Sequence, residues 1–560
     1  MSDKPVMQSP PAPEGQPSGS EAQALEGSGK RKIGLAALAI ALIHLLAKMG
    51  GYIQKKVLAH FFGTEVAADA ATGMEKIFQL IYYIPEELLT HSLLPVFTRV
   101  RDEQGEAAAW RMASLTGTLQ ALLLVVVTIV GVLGAEGLVG LVLGRPSAQA
   151  MDYGAAVEKF ELTVRLVRVA MLGLFCTSIG SLTYVLLNAY KRFVTPALGD
   201  VAQKIGIVIG TVVVCVGFSE LGPLGYALGF ILGGVFKLLT HLLALRGQLP
   251  LVRPGVDLKN PALRELGWLM VPLLAGSLVS KLRDALENRI AWSVPVDGTL
   301  ASLDYARKIV WMPIQVVPYA LGLALFPYLA EWAQQHDRRR VTDAFLGASR
   351  MMIFVFLPMT VGCVLLGEEV ITVLYKSGRF REASVALTAG PFVVYSLGMV
   401  FYALEIIANQ VYYAHRDTKT PFYLGLVGSA LQVSLAYTCG LLLDGGNVGI
   451  AVGFAVAKGV KVILMWWALR PRLESFHLPD LGKLVLKTAG GCLAMALFIM
   501  AAKQAAPAVL DLNRVPHAAL FLAGTGGLGA LVFFGSCLLL KIDELQLLTT
   551  AVKRKLRKKG

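Results

Sequence analysis

Apolar residues gather into fourteen long stretches between about Gly34 and Leu540, and polar residues fall in short runs between them. The stretches lie near 34–60, 70–97, 112–134, 162–188, 197–218, 223–245, 266–292, 301–330, 343–366, 386–412, 421–442, 447–468, 484–504 and 516–540. About 20 apolar residues cross the roughly 30 Å hydrocarbon core of a bilayer. Lipid offers nothing to the backbone N–H and C=O groups, so segments of this length satisfy them internally, as helices. The pattern predicts an all-α polytopic membrane protein with about fourteen transmembrane helices. Composition fits: 55% of residues are hydrophobic and 16% charged, against about 25% charged in soluble domains.

The first 32 residues have no apolar run and are rich in Pro, Gly, Ser and Glu, which predicts a disordered tail with a basic end, not a cleavable signal. Six cysteines (Cys176, Cys215, Cys363, Cys439, Cys492, Cys537) fall in apolar stretches without ligand-type spacing, so they read as inert buried thiols and no metal site is expected. The net charge of +14 is concentrated in alternate loops: Arg99, Arg101 and Arg111; Lys191 and Arg192; Arg246 to Arg264; Arg338 to Arg340; Arg416 and Lys419; Arg470 and Arg472. The intervening loops near 62–68, 219–222, 295–300 and 443–446 contain no Lys or Arg. The positive-inside rule then places both termini in the cytoplasm. No basic face is interleaved with aromatics, so nucleic acid is not an expected partner. The basic, apolar segment 542–560 reads either as an amphipathic helix on the cytoplasmic leaflet or as a solvated tail.

The chain also repeats itself. Gly63-Thr64-x4-Asp69 returns as Gly298-Thr299-x4-Asp304, Pro85 as Pro318, and Leu94-Pro95-Val96-Phe97 as Phe326-Pro327-Tyr328-Leu329. Gly134-Ala135-Glu136 pairs with Gly367-Glu368-Glu369, and Asn188 to Pro196 has an echo in Asn409 to Pro421. Six stretches separate equivalent points, so the repeats run parallel. We read a six-helix bundle over 33–250, a second over 251–472, and two further transmembrane helices over 473–541. Transporters built from repeats hold their cargo near mid-membrane at the repeat interface and work by alternating access.

Charge inside a span is costly and marks a cavity or a partner. The first span carries Lys48, Gln54, Lys55, Lys56 and His60, and the second Glu75, Lys76, Glu86, Glu87 and His91. The seventh holds Lys281, Arg283, Asp284, Glu287 and Arg289, and the eighth opens with Asp304, Arg307 and Lys308. Lys281 and Arg289, or Asp284 and Glu287, are expected to share a helix face. Together these residues predict a wet, net cationic cavity suited to a phosphate or pyrophosphate. Internal pairing of the same charges, holding the halves together, is the competing expectation. Asp69, Glu75, Asp284, Asp304 and the lone Glu405 are candidate ion-coupling or structural acids.

Ala47-Lys48-x2-Gly51-x2-Gln54-Lys55 followed by Phe62-Gly63-x4-Ala68-Asp69-Ala70 resembles the first-span signature of the MurJ (MviN) lipid II flippases. These belong to the multidrug/oligosaccharidyl-lipid/polysaccharide exporter superfamily. Tyr305-Ala306-Arg307-Lys308-Ile309 is similar to the family's start of span 8, and Asn188 to Pro196 and Tyr412 to Pro421 to its turns after spans 4 and 10. Leu374-Tyr375-x2-Gly378-x-Phe380 fits its element after span 9. The resemblance covers roughly 33–540. It implies transfer of the undecaprenyl-pyrophosphate-linked peptidoglycan precursor across the bacterial cytoplasmic membrane. Family arginines that engage pyrophosphate become Lys48 and Gln54 in span 1 and Lys308 in span 8. The acid before the last becomes Arg307, and Gln79, Tyr82 and Tyr83 stand where span 2 has an arginine. Lysine keeps the charge and loses the bidentate fork; Lys281, Arg283 and Arg289 are expected to restore positive charge. Another polyprenyl-linked unit or anionic lipid is the alternative cargo, and a multidrug substrate the more distant one.

No Gly-x4-Gly-Lys-Ser/Thr phosphate loop is present, so ATP hydrolysis is not expected. No nucleophilic triad emerges either, and the expectation is a transporter without cofactors, acting as a monomer and not an enzyme.

Overall fold

The computed structural model describes residues 45–146, 153–474, 478–542 and 544–545. The expected N-terminal tail (1–32) lies outside these residues, as does nearly all of the basic segment 542–560. The described residues are helical almost throughout. The elements are α1 (45–62), α2 (Val66–Gln104), α3 (Glu106–Leu133), α4 (Ala135–Val142), α5 (Tyr153–Ala189), α6 (Val194–Gly217) and α7 (Leu224–Ala244). Then come α8 (Pro261–Ser293), α9 (Thr299–Gln334), α10 (Arg338–Leu365), α11 (Gly367–Tyr375), α12 (Glu382–Leu397), α13 (Met399–Ala414), α14 (Lys419–Tyr437), α15 (Gly446–Leu469), α16 (Leu478–Ala505) and α17 (Val515–Leu539).

Ten of these helices are long and apolar enough to cross a membrane, and twelve if each of two bent pairs counts as one span. The predicted tenth span is one such pair: α12 and α13 meet at a 42° bend around Gly398. The seventh is the other, α8 turning by 41° between Leu274 and Gly276. Of the remaining two expected spans, the first (34–60) falls only in part within the described residues, as α1. At 39 residues α2 is long enough, but it is less apolar, carrying Glu75, Lys76 and Gln79 at the wall of the cavity described below. The short helices α4 and α11 lie in segments that the sequence pattern predicts as connections between spans. The six cysteines are free thiols.

Helices α2, α3, α5, α6 and α7 pack on one another, as do α9, α10, α12, α13 and α15. Between these sets runs α8, touching α2 on one side and α14 on the other. α16 and α17 pair with each other and lean on α10 and α11. The tightest seam joins α6 to α7. A Cβ on Gly206 would lie 2.6 Å from the Gly233 Cα, and one on Gly210 2.7 Å from the Gly229 Cα. Gly206-x3-Gly210 and Gly229-x3-Gly233 are thus small-residue motifs that let two backbones touch, the usual device where lipid removes any hydrophobic drive to associate.

Candidate functional site

A cavity of about 350 Å³ opens between α1, α2, α8 and α9. Its walls carry six cationic side chains, Lys48, Lys55, Lys76, Lys281, Arg307 and Lys308, against three acids, Glu75, Asp284 and Asp304. The charges are unevenly distributed.

At the end where α1 gives way to α2 they are matched. The Lys55 ammonium, 4% exposed, lies 2.8 Å from Glu75 and 2.5 Å from Asp304. Lys76 adds a second cation to Asp304. Glu75 also accepts from Gln79 at 2.8 Å and from the Tyr226 hydroxyl. Buried charges survive in low dielectric when paired and hydrogen-bonded in this way.

Beyond that network the same end is interlocked. Asp69 of α2 accepts the backbone N–H groups of Gly298 and Ala301, both at 2.9 Å, and so caps the start of α9. A carboxylate there also meets the positive end of the helix dipole. Lys159 of α5 stands 3.7 Å from Asp69, its ammonium over the Trp292 ring. The Tyr305 hydroxyl donates to the Gly63 carbonyl, the Arg379 N–H to the His60 carbonyl, and Thr64 to Ser384. Gly298 has φ +80°, and a Cβ there would lie 2.0 Å from the Thr64 carbonyl oxygen. Only glycine fits that joint.

Toward the other end the cations stand alone. Among the described residues, Lys48, Lys281 and Lys308 make no ion pair with any acid. Lys281 sits 4.8 Å from the centre of the Tyr83 ring. Lys308 reaches across to α1, where a Cβ on Gly51 would lie 2.8 Å from its ammonium. At this end of the molecule Arg99 of α2 meets Glu265 of α8 in an exposed two-pronged pair, one contact being 2.8 Å.

Of the seven residues expected to bind anion, the structure brings Lys48, Lys281, Arg307 and Lys308 to the cavity wall. The other three are elsewhere. Gln54 is buried and donates to the Tyr226 hydroxyl at 2.7 Å. Arg283 is turned onto its neighbour Asp284, 2.6 Å away. Arg289 is exposed, does not line the cavity, and donates to the Leu141 carbonyl at 3.2 Å. Arg307 lines the cavity, but its charge is met by Glu287, with the Tyr395 hydroxyl also accepting at 2.8 Å. Asp284 faces the cavity while Glu287 does not, so the two acids do not share a face. Glu405 is no lone acid: Lys458 and Lys461 flank it at 2.5 and 2.6 Å.

Lys237 of α7, fully buried, was not singled out from sequence. It lies 2.9 Å from Asp200 and donates to the Tyr82 hydroxyl at 2.8 Å. It relates to Lys458 by the offset of 221 that relates Asn188 to Asn409, so lysines at matched places in two apolar stretches are the available signal.

A helical membrane chain with a charged hollow between packed helix sets has the architecture of a transporter, and solved structures share it. A structure titled lipid II flippase MurJ, inward closed conformation, aligns with a TM-score of 0.72 at 18% identity, covering 89% of this chain and 98% of that one. An inward-facing multidrug resistance MATE family transporter of the MOP superfamily aligns at 0.64 and 16% identity, over 77% and 98%. The family model for lipid II flippase MurJ matches residues 58–514. The probable lipid II flippase MurJ of Bdellovibrio bacteriovorus is 26% identical over 446 residues, which is 79% of this chain and 83% of the relative. The lipid II flippase MurJ of Burkholderia cenocepacia is 24% identical over 444 residues, 78% and 84%. The chain belongs to the MurJ lipid II flippase family.

Proposed function

We propose that this chain moves lipid II, the undecaprenyl-pyrophosphate-linked peptidoglycan precursor, across the bacterial cytoplasmic membrane by alternating access. Family membership supports the cargo. The observation that carries the reading is the set of three unpaired lysines, Lys48, Lys281 and Lys308, on three walls of one cavity. In a membrane interior a bare cation is expensive, and a dianionic pyrophosphate is the partner that would offset it. Arg307 stands beside them with its charge already met, and Asp304, Glu75 and Lys55 hold the floor of the site.

The loops at the Arg99 end carry the basic surplus, so by the positive-inside rule that end and both termini face the cytoplasm and the interlocked end faces outward. Two six-helix units, 33–250 and 251–472, rock about the cavity, with 473–541 as an attached pair and the monomer as the working unit. Return of the emptied carrier draws on an external gradient; one charge moved through 100 mV is worth about 2.3 kcal/mol. The site works by binding and release, with no bond made or broken.

Supplying this chain to a bacterium depleted of its own flippase tests the reading. Precursor export and growth should return. Precursor that stays on the inner leaflet, although the chain is correctly inserted, would overturn lipid II as the cargo.

A further inference from the structure

We infer that Asp284 and Asn288 of α8 form a sugar subsite beside the pyrophosphate position, taking hydroxyl or amide groups of the cargo headgroup. The inference rests on the cavity reading above and gives the wall of α8 the part of the cargo that the lysines leave out.

This wall carries one open acceptor and one open amide. Arg283 directs both of its hydrogen bonds onto a single oxygen of Asp284: Nε at 3.1 Å and Nη2 at 2.6 Å both donate to Oδ1. Oδ2 accepts nothing among the described residues, and the Asp284 side chain is 43% exposed at the cavity wall. Lys281, one turn earlier on the same wall, is turned onto the Tyr83 ring instead. Asn288 stands one turn further along and also lines the cavity. Its amide has no partner among the described residues, yet it is not one of the sealed unpartnered groups. Polar atoms at this depth do not stay unsatisfied, so water or a ligand must serve both groups. A ligand that displaces the water binds well only if it reproduces those bonds. The pair is therefore a selector.

Charge decides the class of ligand. Oδ2 bears lone pairs only, so it repels a phosphate and accepts an O–H or N–H. A cation is not called for, because the Arg283 guanidinium already balances this carboxylate. What is left is an uncharged donor. The amide beside it gives an N–H and accepts in return, so the two together match a ring bearing a hydroxyl next to a second hydroxyl or an amide. Side chains four residues apart on a helix have Cβ atoms about 5–6 Å apart, close to the width of one sugar ring. The order along α8 also fits. Lys281 comes first, then Asp284, then Asn288, which shares a small crevice with Asp304 at the matched end. The phosphates then lie at the lysines and the adjoining sugar one turn deeper.

Preference for the sugar is measured on the purified full chain as a ratio of two dissociation constants. The first is for undecaprenyl pyrophosphate alone, the second for undecaprenyl pyrophosphate carrying an N-acetylated disaccharide-peptide. Asn288→Ala removes a side chain that holds nothing else, and Asp284→Asn removes the carboxylate while keeping its shape. Each should lower the preference about tenfold, the loss of one or two hydrogen bonds. Arg283→Gln takes away the partner and leaves Oδ2 in place, so its preference should stay within about threefold of the unaltered chain. A preference left intact by either of the first two variants overturns the subsite, as does an equal loss in Arg283→Gln. If Asp284→Asn fails to bind the bare lipid, Asn288→Ala decides by the same ratio. An unaltered chain that binds both lipids equally overturns the subsite and leaves the cavity reading standing. One that binds neither overturns the cavity reading, and the subsite with it.

Discussion

The two ends of one cavity use the same residue types for opposite purposes. Near the interlocked end Lys55 and Lys76 sit on Asp304 and Glu75, and the charges cancel. One or two turns away Lys48, Lys281 and Lys308 line the same cavity and, among the described residues, pair with no acid. The difference lies in where the acids are, not in the lysines. Matched ions hold helices together and specify a geometry; unmatched ones store an attraction for something absent. A repeat-related pair makes the point again. Asp69 and Asp304 are equivalent in sequence, yet Asp69 spends its carboxylate on backbone N–H groups of α9, while Asp304 spends its own on lysines of α1 and α2. Each reaches across to the other set of helices.

That contrast can be broken in graded steps. Replacing Lys48, Lys281 and Lys308 together by Gln should abolish rescue of flippase-depleted cells, with a loss of precursor transport of about 100-fold or more, since each charge-assisted contact contributes roughly 1.5–3 kcal/mol. Melting of the purified triple variant should stay close to that of the unaltered chain; a large drop would mean the free end is structural too. Asp304→Ala should do the reverse at the matched end. It leaves Lys55 and Lys76 short of a partner, and breaking a buried pair costs about 3–5 kcal/mol, read as a lower melting temperature and reduced abundance in the membrane. An unchanged melt would show that the pairing is incidental.

Gly298→Ala tests the joint beyond the matched end. Its Cβ would meet the Thr64 carbonyl with the backbone in a left-handed conformation, a strain on the order of 1–3 kcal/mol. Cysteines placed at Thr64 or Ser384 should then label more readily from the outer side, and unaltered labelling would count against the seal. The smallest effect belongs to the Arg99–Glu265 pair. Exposed pairs contribute little and are screened by salt, so Arg99→Ala should change transport about twofold at low ionic strength and less at high. A salt-independent tenfold loss would show that the pair does more than hold the rim.

The long apolar stretches made the fold legible, because nothing else satisfies so much backbone in lipid. Breaks inside a stretch were not: the bend at Gly398 interrupts a run that stays apolar throughout. The cavity was legible in part. On α8, Lys281, Asp284, Ala285 and Asn288 line it, at steps of three, four and seven. Arg289 was expected to join Lys281, but eight residues overshoot two turns by about 80° at 3.6 residues per turn, enough to carry it out of the site. Arg283, two residues from Lys281, falls on nearly the opposite face. Gln54 could not be placed from sequence, since the Tyr226 hydroxyl that holds it is 172 residues away.

The glycine seam between α6 and α7 has a mechanical corollary. Where two backbones touch at Gly206 against Gly233 and at Gly210 against Gly229, no side chains stand between them to slide or repack. The pair acts as one strut, too stiff to flex on its own. In the transport cycle proposed above the pair would then travel as one body and leave the bending to other places, of which the kinks of α8, between Leu274 and Gly276, and at Gly398 are two.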